Sequence, residues 1–117
     1  MRTSYLENDL IKLRREFHSQ PELNFDVTET SKKIESILRS ANIEVHNNIG
    51  RTGLVGVIKK GNSNRSIGIR ADMDALPVNE VNTFDYKSKH DGRMHACGHD
   101  GHVTMALGAA KHLAEKE

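Results

Sequence analysis

The chain has 117 residues, of which 36% are hydrophobic and 28% are charged, and its formal net charge is +1. This length permits one small domain, and the balanced charge argues against a nucleic-acid-binding or membrane-surface protein. No apolar run reaches the roughly 18–20 residues that cross a bilayer, and the polar N-terminus lacks a signal-peptide core, so we expect a cytoplasmic protein.

Two amphipathic helices are predicted in the first third of the chain. Tyr5–His18 presents one apolar stripe with helical spacing. The stripe consists of Leu6, Leu10, Leu13 and Phe17. Pro21 ends this helix, and Asp26 is predicted to cap the second one, with Glu29 completing a capping-box-like pair. The second helix is expected to end near Asn42.

The pattern then changes to one typical of strands. Ile43–His46 alternates weakly, and Leu54–Ile58 is apolar and β-branched. Ser66–Ala71 is predicted as the next strand, with its two isoleucines on one side, and Phe84–Ser88 as a short further strand.

The last predicted element is a helix that starts at His99 or Asp100 and runs to Lys116. The order of two helices, several strands and a helix is typical of an α/β fold, in which loops at strand ends carry function. No closing strand follows the last helix, so we expect the chain to be a fragment of a larger domain.

The segment Met94–His102 is the richest in chemically active side chains. It holds three histidines, an aspartate and the single cysteine of the chain, which excludes an internal disulfide. Cys97 and His99 are good zinc ligands, and Gly98 allows the backbone to turn between them. Asp100 suits a helix start. The alternative is a buried free thiol near unrelated histidines, since structural zinc sites usually show two paired motifs.

Two aspartates follow the predicted strand Ser66–Ala71. Asp72 and Asp74 are two residues apart, which places both on one side of an extended chain. A carboxylate at this position could bind a metal or orient a metal-bound histidine. The alternative is an ordinary turn, which Pro77 would also fit.

Four motifs together resemble the amidohydrolase branch of the dinuclear-zinc aminoacylase/carboxypeptidase metallopeptidase family, which includes hippurate hydrolase, the indole-acetyl-amino-acid hydrolases and N-acetyl-diaminopimelate deacetylase. The motifs occur in family order. They are Arg14–Leu23, Thr52–Val55, Arg70–Pro77 with the letters R-A-D-M-D-A-L-P, and Gly92–His102 with the letters G-R-M-H-A-C-G-H-D-G-H.

The resemblance implies a role for several residues. Cys97 and His99 align with ligands of a pair of metal ions, manganese or zinc, and Asp74 with the catalytic aspartate that orients a metal ligand. Asp72 stands where the wider family has a metal-binding histidine, and it is not assigned to the metal because this branch uses the cysteine motif. His95 and His102 flank the ligands. The other histidines and the first motif are interpreted as structural or solvent-exposed, namely His18 with Pro21 and Glu22, and His46, His90 and His112.

The resemblance also implies hydrolysis of the amide bond of N-acyl amino acids. Residues 1–117 would form the N-terminal part of the catalytic domain, an incomplete three-layer sandwich. The general-base glutamate, the remaining ligands, the C-terminal part and the lid or dimerisation domain would be absent. Two ligands cannot hold two ions tightly, so we expect the fragment to be inactive alone. A small-molecule substrate and a homo-oligomer are the expected partners, without nucleic acid or membrane.

Three alternatives stay open. The first is a small non-enzymatic metal-binding module built on Cys97 and His99, with His95 or His102 as a further ligand. The second is an interaction module whose exposed sheet edge pairs with another chain. The third is a thiol enzyme that uses Cys97 as a nucleophile.

Overall fold

The computed structural model describes the backbone of residues 3–116 and the side chains of residues 6–116. Three helices and a two-stranded antiparallel sheet form an α/β arrangement, which confirms the predicted fold class. In chain order the elements are α1 (Thr3–Ser19), α2 (Thr28–Ser40), β1 (Glu44–Ile49), β2 (Gly53–Val57) and α3 (His99–Glu115). None of the three described helices is long and apolar enough to cross a membrane.

The core lies where the three helices meet one face of the sheet. Apolar side chains of the three helices and of the start of β1 supply it, since such side chains gain stability when they leave water. Its buried members are Phe17, Ile34, Leu38, Ile43, Val45, Val103 and Leu107. Helix α1 packs on α3, and α2 packs on both strands, so the core joins the start of the chain to its last helix.

The strand β1 pairs with β2 through a tight connection. The register runs from Glu44 opposite Val57 to Ile49 opposite Gly53, with an irregularity between His46 and Ile49. Both predicted strands in this region are confirmed, with β1 extended to Ile49.

The prediction of several strands is wrong for the residues that the structure describes, because only two form. Ser66–Ala71 has no regular secondary structure and belongs to no sheet, and Phe84–Ser88 forms a turn. In the second segment, Phe84 and Tyr86 stack on each other with centroids 3.9 Å apart. In the first, Ile67 and Ile69 have the residue types of a strand, but no strand among residues 3–116 pairs with them.

The start of α2 also differs from the prediction. Val27 occupies the N-cap position, and neither Asp26 nor Glu29 makes a side-chain capping bond. The carboxylate of Glu22 takes this role from a distance. It accepts hydrogen bonds from the backbone N–H of Glu29 at 3.2 Å and from the backbone N–H and hydroxyl of Thr30, each at 2.6 Å. Glu22 therefore has the structural function expected for its motif, by a contact that local sequence did not show.

Candidate metal centre

Backbone hydrogen bonds bring three of the predicted motifs together. The N–H of Ala75 donates to the carbonyl of Glu22 at 2.7 Å, and Leu76 and Met94 exchange two bonds of 2.9 and 3.0 Å. The Arg14–Leu23, Arg70–Pro77 and Gly92–His102 motifs therefore meet at one place. These contacts position the aspartates of the second motif against the histidines of the third.

The start of α3 sets the direction of the histidines. Gly98 has a φ of 83°, in the left-handed region that favours glycine, and its carbonyl accepts the N–H of His102 at 3.0 Å. Helix α3 therefore begins at His99, as predicted. Because His99 and His102 are three residues apart in a helix, they lie on the same face, and their rings stack with centroids 5.5 Å apart.

Asp72 lies against this pair of histidines. Its Oδ1 is 2.8 Å from Nδ1 of His102 and its Oδ2 is 3.2 Å from Nε2 of His99. The hydrogen bond from His102 is the main cause that lowers the pKa of Asp72, and the charges of both histidines act in the same direction against the effect of burial. Asp72 is therefore a carboxylate at neutral pH.

Asp74 fixes the ring of His99 from the other side. Nδ1 of His99 lies 2.8 Å from the backbone carbonyl of Asp74 and 3.0 Å from its Oδ1. Both partners are acceptors, so a proton is assigned to Nδ1, and Nε2 is the ring atom that a metal ion could bind. This is the arrangement in which a carboxylate orients a metal-ligating histidine.

The donor set fits a divalent cation. Asp72, His99 and His102 offer one atom each, all within 4.8 Å of one another, and carboxylate with imidazole suits zinc and its neighbours. Nε2 of His99 faces Oδ2 of Asp72 at 3.2 Å. An imidazole nitrogen and a carboxylate oxygen in this arrangement can share a proton or bind one cation. The described residues therefore suit one ion, with an incomplete set for two.

Cys97 is not part of this group. Its thiol is exposed, and the close group of potential ligands found among the described residues consists of Asp72, His99 and His102. The structure brings Asp74 and His99 into contact and leaves the thiol of Cys97 outside. The roles of Asp74, Cys97 and His99 in catalysis and metal binding stay predictions.

Behind the histidines lies a buried ionic cluster that the sequence did not reveal. His18 is 2% exposed and lies between two carboxylates, with Nδ1 2.8 Å from Asp100 and Nε2 2.9 Å from Glu80. Arg14 contacts the same oxygen of Asp100 at 2.9 Å. Since Asp100 directly follows His99, this cluster fixes the N-terminus of α3 to α1.

His95 is buried without a hydrogen-bond partner. It is 4% exposed, and neither ring nitrogen has a partner among the described residues. Burial lowers the pKa of His95, partly opposed by the charge of Asp100. A neutral ring is therefore expected beside the site. The histidines interpreted as solvent-exposed, His46, His90 and His112, are exposed in the structure.

Comparison with known proteins shows which proteins the chain is similar to. Residues 68–117 match the model of Peptidase family M20/M25/M40. The fold of the Bacillus subtilis YXEP protein, described as a dinuclear metal binding peptidase from the M20 family, superposes with a TM-score of 0.90 at 41% identity over 96% of this chain. The chain is thus similar to part of an M20-family peptidase domain. The described elements resemble the N-terminal part of such domain structures.

Two curated relatives extend the similarity along the chain. Hippurate hydrolase of Campylobacter jejuni is 51% identical over 95% of this chain, and an IAA-amino acid hydrolase of Arabidopsis thaliana is 49% identical over 91%. The chain spans 29% and 24% of the lengths of these relatives, and 32% of the YXEP chain. The predicted resemblance is confirmed, and so is the prediction that the M20 similarity covers a part of the relatives.

Proposed function

We propose that this M20-family segment belongs to a metal-dependent amidohydrolase that cleaves the amide bond of N-acyl amino acids. The observation that carries the proposal is the contact of Asp74 with Nδ1 of His99, which leaves Nε2 available as a ligand. The relatives named hippurate hydrolase and IAA-amino acid hydrolase support the substrate class. Residues 1–117 would supply one part of the catalytic domain.

In this proposal His99 and Cys97 hold metal, which is manganese or zinc, and Asp74 is the residue that orients His99. The bound ions would lower the pKa of a water molecule and polarise the scissile carbonyl. Asp74 accepts the Nδ1 proton of His99 and so orients the ring with Nε2 turned away from Asp74. Asp72 and His102 lie beside the same ring and add negative charge and a further imidazole.

The proposal places the general base outside these residues. The described acidic groups near His99 are already engaged, since Asp72 contacts two histidines and Asp74 contacts His99. The chain is therefore proposed to be inactive alone. A cytoplasmic location and a homo-oligomer remain part of the proposal and can be checked by cell fractionation and light scattering.

The first test measures metal binding and hydrolysis on the 117-residue chain. We expect at most one weakly bound zinc or manganese ion and no hydrolysis of hippurate, with Campylobacter jejuni hippurate hydrolase as the active control. His99→Ala should abolish the metal binding, and Asp74→Asn should weaken it by roughly 10–100-fold because the ring loses its charged support. The matched control His112→Ala removes an exposed histidine of the same helix and should change nothing.

Two results would contradict the proposal. Turnover of an acyl-amino acid by the purified chain would show a complete site within these residues. Unchanged metal affinity in His99→Ala would remove His99 from the ligand set. A single tightly bound ion whose chelation unfolds the chain would instead favour the non-enzymatic metal-binding module.

A further inference from the structure

The first turn of α3 carries two of the candidate ligands, His99 and His102, but it has no side-chain cap. The N-cap residue is Gly98, which has no side chain that could accept a hydrogen bond from the turn. The ends of a helix open more easily than its middle, because their backbone groups lack partners within the helix. The position of both ligands therefore depends on what else holds this turn.

Asp100 connects this turn to its surroundings. Its Oδ1 accepts the N–H of Gly101 at 3.0 Å, and its backbone carbonyl accepts the hydroxyl of Thr104 at 2.8 Å. Its Oδ2 contacts α1, where Nδ1 of His18 lies at 2.8 Å and Nε of Arg14 at 2.9 Å. The carboxylate of Asp100 thus joins the first turn of α3 to the end of α1.

The second nitrogen of the His18 ring contacts a different part of the chain. Nε2 lies 2.9 Å from Oε2 of Glu80. Glu80 also accepts hydrogen bonds from the side-chain amide of Asn82 at 2.8 Å and from the N–H of Ser88 at 2.7 Å. These contacts hold the segment 80–88, which contains none of the candidate ligands. The two nitrogens of one ring therefore hold two separate segments.

We propose that His18 is a positioning residue of the candidate metal centre, and that it acts through the contact of its Nδ1 with Asp100. This contact fixes the first turn of α3, so that His99 and His102 both meet Asp72. The effect on metal affinity rests on the proposed function. The order of the first turn does not, because it can be measured without metal.

Two substitutions separate the two contacts of the ring. The side-chain amide nitrogen of asparagine can take the place of Nδ1, and that of glutamine the place of Nε2. His18→Asn therefore keeps a donor for Asp100 and loses the contact with Glu80, whereas His18→Gln keeps a donor for Glu80 and loses the contact with Asp100. The matched control is Glu80→Gln, which removes the charge at the second contact and leaves the Nδ1 contact in place.

The first measurement is the zinc affinity of the 117-residue chain, by competition with a chromophoric chelator. We expect His18→Gln to weaken zinc binding by about 10-fold or more, as expected for a group that supports a metal ligand. His18→Asn and Glu80→Gln should stay within about threefold of the parent. Urea unfolding should show all three variants less stable than the parent, so that affinity follows the Nδ1 contact and not the overall stability.

Hydrogen exchange gives a second measurement that needs no metal. The N–H of His102 donates to the carbonyl of Gly98 at 3.0 Å, so its exchange rate reports the first turn of α3, and the N–H of Leu107 reports the middle of the helix. We expect His18→Gln to raise the rate of His102 relative to that of Leu107 by about 10-fold. His18→Asn should leave this ratio near the parent value. A loss of global stability alone would not raise the ratio.

A parent-like exchange ratio in His18→Gln would overturn the proposal, and so would equal effects of His18→Gln and His18→Asn on zinc affinity. If the parent chain binds no zinc, the proposed metal site fails, while the exchange ratio still decides whether His18 positions the first turn. If circular dichroism shows that His18→Gln does not fold, His18→Asn still tests the proposal. A raised exchange ratio in that variant would overturn it, and a parental ratio would support it.

Discussion

At the scale of single residues, His18 shows how a buried charge cluster can shape a site that it does not touch. Its two ring nitrogens face Asp100 and Glu80, and all three side chains are at most 2% exposed. Buried charges are tolerated when they are paired and hydrogen-bonded. Removing one member leaves a buried charge without its partner. The free-energy cost of that unpaired charge is larger than the stabilisation that the pair provides.

The first residue-scale prediction concerns Glu80. Burial raises its pKa, but hydrogen bonds from Asn82, His18 and the N–H of Ser88 outweigh burial, so that the net pKa is lowered. A carboxyl with a lowered folded pKa contributes stability above its unfolded pKa of about 4.3. That contribution is lost as the pH falls below this value through the folded pKa.

We therefore expect Glu80→Gln to destabilise the chain by about 1–3 kcal/mol at pH 7, and the difference from the parent to shrink as the pH falls below about 4. Urea unfolding at a series of pH values measures this. Glu7→Gln changes an exposed glutamate and should have no effect. A pH-independent difference would show that the charge of Glu80 is not the cause.

The second residue-scale prediction concerns His95, whose ring nitrogens are buried without partners. An unsatisfied buried polar group costs about 1–3 kcal/mol, so His95→Leu should stabilise the chain by about 1 kcal/mol at pH 7. The folded pKa is lowered, so the parent should lose stability as the pH falls from about 6.5, and the variant should lose less. Thermal unfolding at pH 7.5 and 5.5 measures both effects, and a less stable variant at pH 7.5 would contradict the first.

At the scale of elements, the helices could be predicted because their signals are local. Each apolar stripe recurs within one segment, and α1 and α3 end within two residues of the predicted positions. The cap of α2 could not be predicted in this way. The carboxylate of Glu22 contacts Thr30, eight residues further along the chain. The capping pattern at Asp26 and Glu29 involves only neighbouring residues and does not indicate this contact.

This difference gives a matched pair of variants. Glu22→Ala should destabilise the chain by about 1 kcal/mol, because the first turn of α2 loses its acceptor. Asp26→Ala removes the cap expected from sequence and should change stability by less than about 0.5 kcal/mol. Chemical denaturation monitored by circular dichroism compares them. A larger loss in Asp26→Ala would restore Asp26 as the cap.

The strand expected at residues 66–71 shows that residue type alone does not predict strand formation. Residue type predicts how well a segment suits a sheet, but a strand exists only with a hydrogen-bonded neighbour.

The candidate site could likewise be predicted only in part from the sequence. The spacing of Asp72 and Asp74 indicated a shared side, and both contact His99. The sequence did not show that His102 would bind Asp72, because that contact depends on how residues 30 positions apart pack together.

At the scale of the whole molecule, the described residues fall into two regions. One side contains the metal-binding candidates and the buried cluster behind them, with most polar groups satisfied. The other side contains the outer edge of the described two-stranded sheet and the exposed Ile67 and Ile69. The candidate ligands therefore lie where the described motifs meet, apart from these exposed isoleucines.

The pairing of His18 with Asp100 has a consequence for folding during translation. The two residues are 82 positions apart, and translation proceeds at roughly 5–20 residues per second. Between roughly 4 and 16 seconds therefore pass after His18 is made before its partner exists. During that interval the nascent α1 has no acidic partner from α3, so the native pair of His18 and Asp100 can form only after the start of α3 has been synthesised.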